Sequence, residues 1–280
     1  MTELETLEAN LRHLGLLRMT QLYSSEADRA ATLKLSYTGY LNRLVEEEVL
    51  GRTERSVSYR IKKAHLPGIK TLEAFDYQFQ PSVSELRIKQ LAELAFLKAA
   101  ENIILVGPPG VGKSHLAIGL GLKACTARKR VLFTSALSLM DELISAAAVR
   151  ELTGRLADLS RLDLLIIDEL GYLGLDRPRA NLFFQLINRC YEQTSVIITA
   201  NKGFNQWGEV FGDEVIASAV LDRLLHHSHI IAIQGASYRI REKQERPAKN
   251  QEKNQEKEVD KPVKTSDNQP SIEPEERGQS

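Results

Sequence analysis

The sequence predicts an α/β protein built on a parallel sheet. Five short apolar runs carry that prediction: 102–107 (NIILVG), 130–135 (RVLFTS), 162–168 (LDLLIID), 195–201 (SVIITAN) and 229–235 (HIIAIQG). They are strand-sized and show little polar alternation, as strands covered on both faces do. Helical patterns separate them, the order that produces a sheet with crossover helices. The first run also breaks into Gly-Pro-Pro-Gly before a helix-like pattern opens, which is a strand–turn–helix unit.

Taken from the N-terminus, residues 1–70 read as a small all-α domain. Leu4, Leu7, Leu11 and Leu14 recur at helical spacing. Ser36 is placed to cap a helix carrying Leu41, Leu44 and Val45, with Glu46, Glu47 and Glu48 expected mostly toward solvent. The stretch HLPGIKTLEAFDYQFQPS follows as a linker, broken at Pro67-Gly68 and at Pro81 and rich in aromatics. Phe75, Tyr77 and Phe79 are its candidates for packing near a bound base. The α/β core is expected over 71–242. From 243 to 280 the chain mixes both charge signs with almost no apolar residues, a composition expected to remain disordered.

Composition narrows the function classes. The 280 residues hold 37 Lys and Arg against 37 Asp and Glu, so any nucleic-acid partner must be met by a local patch. The start, MTELETLEANL, has no signal-peptide pattern, and no apolar run approaches the ~20 residues of a membrane span. A cytoplasmic protein without membrane contact is expected. Cys125 and Cys190, the two cysteines, lie in apolar helical stretches without metal-ligand spacing and read as reduced core thiols.

The turn after the first run fits G-x-x-x-x-G-K-[ST]: Gly107, Pro108, Pro109, Gly110, Val111, Gly112, Lys113 and Ser114, continuing into His115. Glycines let backbone N–H groups turn inward around a phosphate, and the helix N-terminus adds its dipole. Lys113 supplies a point charge to the phosphates of ATP, and the Ser114 hydroxyl is a hard ligand for Mg²⁺. Asp168 and Glu169 end an apolar strand at the sheet edge where open α/β sheets bind ligands. Asp168 suits the Mg²⁺ shell and Glu169 the polarisation of an attacking water. Asn201 ends the fourth run, where an amide reaches the γ-phosphate or merely turns the chain. Arg223 lies in an apolar helical setting, as a helix-end cation, a surface ion pair, or a residue reaching toward a neighbouring subunit.

Together these stretches resemble the AAA+ ATPases of the initiator and helicase-loader clade, and especially the IstB family of insertion-sequence helpers. The resemblance rests on LVGPPGVGKSHLA, LIIDELGYL, NLFFQLINRCYE, WGEVFGDEV, LDRLLHHSHII and SYRIRE. It implies Walker A roles for Lys113 and Ser114, Walker B roles for Asp168 and Glu169, a sensor role for Asn201 and an arginine-finger role for Arg223. Arg239 in SYR is placed by it at a sensor-like arginine. It further implies an ATP-dependent homo-oligomer that binds double-stranded DNA and serves a transposase. The sequence departs from the wider AAA+ pattern in one respect: HIIAIQGASYRIRE runs directly into the charged tail, so a core without a helical lid is expected. A DnaC-like helicase loader is the alternative within the same fold. A P-loop small-molecule kinase is the alternative outside it, and no acceptor pocket for one is visible.

Two segments are candidates for DNA. On a helical wheel of 50–64, Leu50, Val57, Ile61 and Ala64 fall on one side. Arg52, Arg55, Tyr59, Lys62 and Lys63 gather opposite, with Arg60 flanking. The basic side suits a phosphate backbone. Between the second and third strands, Arg150 and Arg155 lie on a helical pair expected to bend at Gly154. The resemblance places a DNA-facing helix there.

Overall fold

The computed structural model describes residues 2–241. Residues up to Ser237 form one compact unit. The described start of a second unit, 238–241, is a single helical turn. The tail expected to be disordered from 243 lies outside the described residues. Among those described, no helix is long and apolar enough to cross a membrane.

The sheet has five parallel strands: β1 (Asn102–Val106), β2 (Val131–Ser135), β3 (Leu164–Leu170), β4 (Ser195–Ala200) and β5 (Ser228–Ala232). Their spatial order is β2-β3-β4-β1-β5, with Ile104 opposite Ile198 and Ile230, and Ile166 opposite Ile197 and Phe133. Ile103, Ile104 and Leu105 are consecutive and fully buried, so β1 is covered on both faces, as its unbroken apolar run requires. The coverings include α6 (Lys113–Thr126), which packs on β1 to β4, and α7 (Ala136–Ala148), which packs on β2 and β3. With α9 (Arg177–Cys190), α10 (Trp207–Phe211) and α11 (Glu214–His226), α7 encloses one continuous core around Leu139, Phe183, Trp207 and Phe211. Cys125 and Cys190 are both buried as free thiols, and burial raises their pKa values to about 11 and about 12.

The N-terminal zone is helical as expected: α1 (Glu3–His13), α2 (Leu17–Thr32) and α3 (Tyr37–Lys63), and two short helices, α4 (Glu85–Ala92) and α5 (Ala95–Lys98), lead from the linker to β1. Ser36 caps α3, its hydroxyl accepting from the Gly39 N–H at 3.1 Å. The three helices share a thin core of Leu11, Met19 and Leu44, so Leu4, Leu7 and Leu41 stay exposed despite their helical spacing. Glu48 is a correction: only 4% exposed, it turns inward. Its Oε2 accepts from the Arg18 and Met19 N–H groups at 2.7 and 3.1 Å, serving α2 as an N-terminal cap that Leu16 cannot provide. The wheel placed Leu50 on the packed side, yet it is exposed, whereas Ala64 is fully buried. Ala64 sits at the end of α3, and its carbonyl accepts the Phe133 N–H of edge strand β2 at 2.8 Å.

The bend between β2 and β3 is a second correction. Helix α8 (Leu152–Leu159) contains Gly154, and the chain reverses before it, at Arg150. Arg150 has φ 63°, with Arg150 N–H bonded to Ala147 O and Glu151 N–H to Ala146 O. That is the Schellman pattern, with arginine in the left-handed position glycine usually takes.

Candidate nucleotide site

The loop between β1 and α6 is shaped by close approach. A Cβ on Gly107 would lie 2.2 Å from the Ile233 carbonyl oxygen, so only glycine lets the chain after β5 pass this near. Gly110 has φ 84°, and a Cβ there would lie 2.0 Å from Ser237 Oγ. Val111 is fully buried and anchors the loop from below. The segment roofing the loop is held from the linker as well. Gln80 Nε2 donates to Ala236 O at 2.6 Å, and Ser82 Oγ to Gln234 O at 2.8 Å.

Lys113 opens α6, and its ammonium is folded into the loop, donating to Gly107 O and Pro108 O, both at 2.7 Å. Ser114, the next residue, donates from Oγ to Asp168 Oδ1 at 2.8 Å. The same Asp168 oxygen accepts from Thr199 Oγ1, and Thr199 Oγ1 in turn accepts the Glu169 N–H at 2.9 Å. Asp168 is buried; Glu169, its neighbour, is exposed. The difference comes from a bulge: Ile167 pairs with Ile198 but Leu170 with Ala200, so the two acids oppose Thr199 alone. Glu169 takes φ 62° there, a costly conformation for a non-glycine residue that points its carboxylate out of the sheet edge. Asn201 follows β4, and its Oδ1 is buried without a hydrogen-bond partner among the described residues.

This donor set fits ATP with a divalent ion. A glycine-containing loop that opens directly into the N-terminus of α6, with the Lys113 ammonium beside it, suits a polyphosphate. Ser114 and Asp168 offer two hard oxygens on adjacent elements, the number of protein ligands Mg²⁺ ordinarily takes beside phosphates and water. Thr199 escaped the sequence reading. Its hydroxyl matters only through the β3–β4 register, although its place two residues before Asn201 in SVIITAN was a signal.

Other expected residues stand apart. The His115 ring turns away from the loop toward the linker, its Nε2 lying 2.8 Å from Thr71 O and its ring edge-on to Phe75 at 5.5 Å. Phe75 is buried, packing also on Tyr77 at 4.9 Å, so it ties the linker to α6. Arg223 is not among the groups brought together around Lys113. It rests over the Phe184 ring, 5.1 Å from the centroid, and donates to Ala219 O of its own helix at 3.0 Å. Its helix is fastened to the sheet by Asn102, whose Nδ2 donates to Leu224 O and whose Oδ1 accepts the Val196 N–H. In the basic segments, Arg52 and Arg55 do not stand free opposite the packed side. Both reach Glu48 Oε1, at 3.0 and 2.9 Å, and neutralise the buried carboxylate. Arg155 pairs with Glu142, while Arg150, Lys62 and Lys63 are exposed.

The family model described as IstB-like ATP binding protein matches residues 9–246. The insertion sequence IS21 ATP-binding protein of Pseudomonas aeruginosa is 47% identical over 237 residues, covering 85% of this chain and 89% of that protein. Its IS5376 counterpart from Geobacillus stearothermophilus is 44% identical over 235 residues, covering 83% and 94%. Among solved structures, a DnaA replication initiator bound to AMPPCP and single-stranded DNA aligns with TM-score 0.52 and 19% identity, covering 61% of this chain and 52% of that one. The DnaC helicase loader aligns with TM-score 0.50 and 20% identity, covering 59% and 97%. At that identity these two likenesses establish a shared fold.

Proposed function

The chain belongs to the IstB-like ATP binding protein family, and from that premise and the site geometry we propose that it is an ATPase that assembles on double-stranded DNA with ATP bound and serves a transposase. Membership sets the small-molecule kinase reading aside. The observation that carries the hydrolytic part is the chain Ser114–Asp168–Thr199–Glu169, which holds one acid beside the hydroxyl and turns the other outward.

Each residue then has a separable task. The loop N–H groups and Lys113 hold the phosphates, and Lys113 exchanges its loop carbonyls for phosphate oxygens. Ser114 and Asp168 hold Mg²⁺, which supplies neutralisation of charge on the phosphates when bound. Glu169 accepts a hydrogen bond from the attacking water and orients it, and the Asn201 amide is placed to hold that water or the γ-phosphate. Arg223, supported by Phe184 and away from its own loop, is available to the nucleotide of a neighbouring copy. The relatives named for insertion sequences support transposition as the setting.

The test is the rate of ATP hydrolysis with and without duplex DNA. Severalfold or greater stimulation is expected. An equal rate across a titration of duplex would remove the DNA-coupled reading and leave a plain ATPase.

A further inference from the structure

A cavity of about 380 Å³ lies far from the phosphate loop, where the end of α3, the turn into β2 and the end of α8 meet. Parallel strands place the loop and its acids at their C-terminal ends, whereas this cavity opens beside the first residues of β2, at the opposite edge of the sheet. Its lining includes Arg60, Lys63, Lys129, Arg130, Arg155 and Asp158. Five cations from three separate segments thus converge on one hollow.

Nearby carboxylates neutralise them only in part. Lys129 and Arg130 share a single acid, Asp163, at 3.7 and 3.3 Å. Arg155 pairs with Glu142, and Asp158 is itself engaged by Arg161 at 3.5 Å. Lys63 has the Tyr59 ring 5.8 Å away and no carboxylate within ion-pair distance among the described residues. Arg60 Nε is buried without a hydrogen-bond partner among them. Concentrated, undercompensated positive charge around a hollow is the electrostatic footprint of an anion site. Its size admits a phosphate with its sugar. The charge does not stop at the rim: Lys62 continues it along exposed α3. A small anion would use the hollow alone, while a repeating polyanion would use both hollow and rim.

We propose that this cavity seats backbone phosphates of duplex DNA, joining the α3 and α8 segments into one surface through Lys129 and Arg130. The proposal rests on the DNA-binding reading above and names the part of the molecule that carries it. Cations gathered around a hollow neutralise phosphates whatever base they carry, so binding is to the backbone and independent of sequence.

The experiment uses the full chain with ATP and a fluorescein-labelled mixed-sequence duplex, followed by anisotropy over a range of salt. Lys129→Gln with Arg130→Gln should weaken binding severalfold on every sequence and flatten the slope of log affinity against log salt by ~0.9 for each phosphate that is no longer neutralised. If that double variant melts early, Lys63→Gln, which removes no ion pair, carries the same test with a single step in slope. Wild-type protein that binds no duplex at all overturns the DNA-binding reading itself. Wild type that binds while both variants match its affinity and slope overturns only the cavity assignment. A further arm adds inorganic pyrophosphate to Lys113→Ala protein. Tight binding there that Lys129→Gln with Arg130→Gln abolishes, with duplex affinity untouched, would assign the cavity to a small phosphorylated ligand and refute the proposal.

Discussion

At the scale of single residues, Thr199 decides how the two acids are held. Its hydroxyl donates to Asp168 and receives the Glu169 N–H, so one side chain fixes both the inward and the outward carboxylate. Thr199→Val keeps the shape and removes both bonds. Turnover is expected to fall about 10- to 100-fold, the scale of losing a group that orients ligands. Thr199→Ser should restore most of it, with ATP affinity little changed in either variant. A Val variant with wild-type turnover would show that the strand register alone positions the acids. Lys113 and Glu169 separate binding from chemistry: Lys113→Ala should lose nucleotide affinity. Glu169→Gln should bind ATP normally and hydrolyse it ~10²–10⁴-fold more slowly, as expected for removal of a general base. Equilibrium binding and single-turnover hydrolysis, measured separately, check the division. The loop and acid pair were legible in the sequence because their chemistry is consecutive along the chain. Thr199 was not, because its partners are set by a bulge that only the pairing of β3 with β4 reveals.

Among the elements, the N-terminal helices depend on Glu48. Burial alone would raise its pKa, but the Met19 and Arg18 N–H groups and the guanidinium groups of Arg52 and Arg55 outweigh burial and hold it below the usual carboxylate range. A carboxyl whose folded pKa is depressed contributes stability that is fully present above its unfolded pKa and is lost as pH falls through the folded value. The N-terminal helices should therefore loosen below about pH 4.3. Glu48→Gln should cost about 1–3 kcal/mol at neutral pH, because its charge-assisted bonds weaken, and flatten the acid limb. Thermal melts across pH 3–7 for both proteins test this, and parallel acid limbs would refute it. Removing Arg52 and Arg55 to probe DNA binding would also unpair Glu48, so loss of DNA binding in such a variant would have two causes. The helices themselves were readable from periodicity and from Ser36. The inward turn of Glu48 was not, since the groups it caps lie about thirty residues away on another helix. The reversal at Arg150 was hidden for a related reason: glycine is the usual signal, and here arginine occupies the left-handed position while Gly154 lies inside a helix.

For the whole molecule, Arg223 makes assembly testable. If it completes a neighbour's site, Arg223→Ala should bind ATP but neither hydrolyse it nor assemble on DNA; fingers of this kind contribute roughly 10³–10⁵ in rate elsewhere. Mixing Arg223→Ala with Lys113→Ala should recover part of the activity, because each copy supplies what the other lacks. No recovery at any ratio, together with normal hydrolysis by Arg223→Ala alone, would refute a role in trans. The sheet and its five strands were legible in advance because buried parallel strands announce themselves as unbroken apolar runs, although β3 ends at Leu170 rather than Asp168 and β5 at Ala232 rather than Gly235. How the N-terminal helices attach to that sheet was not legible, and the attachment has a mechanical consequence. From Thr53 onward α3 is fastened to the ATPase core, through Arg128 Nη2 to Thr53 Oγ1 at 2.9 Å and through Ala64 to the edge of β2. From Thr53 back to Tyr37 it runs on for about 24 Å at the helical rise, carrying α1 and α2 on a cantilever. Its clamp bears on α6, the helix whose first residue is Lys113. A tilt of ~10° at the clamp swings the free end by about 4 Å over that length. Labels at Ser24 and Ser145 should report such a change in separation when ATP is added, and an unchanged distance distribution would mean that the arm does not move with the nucleotide.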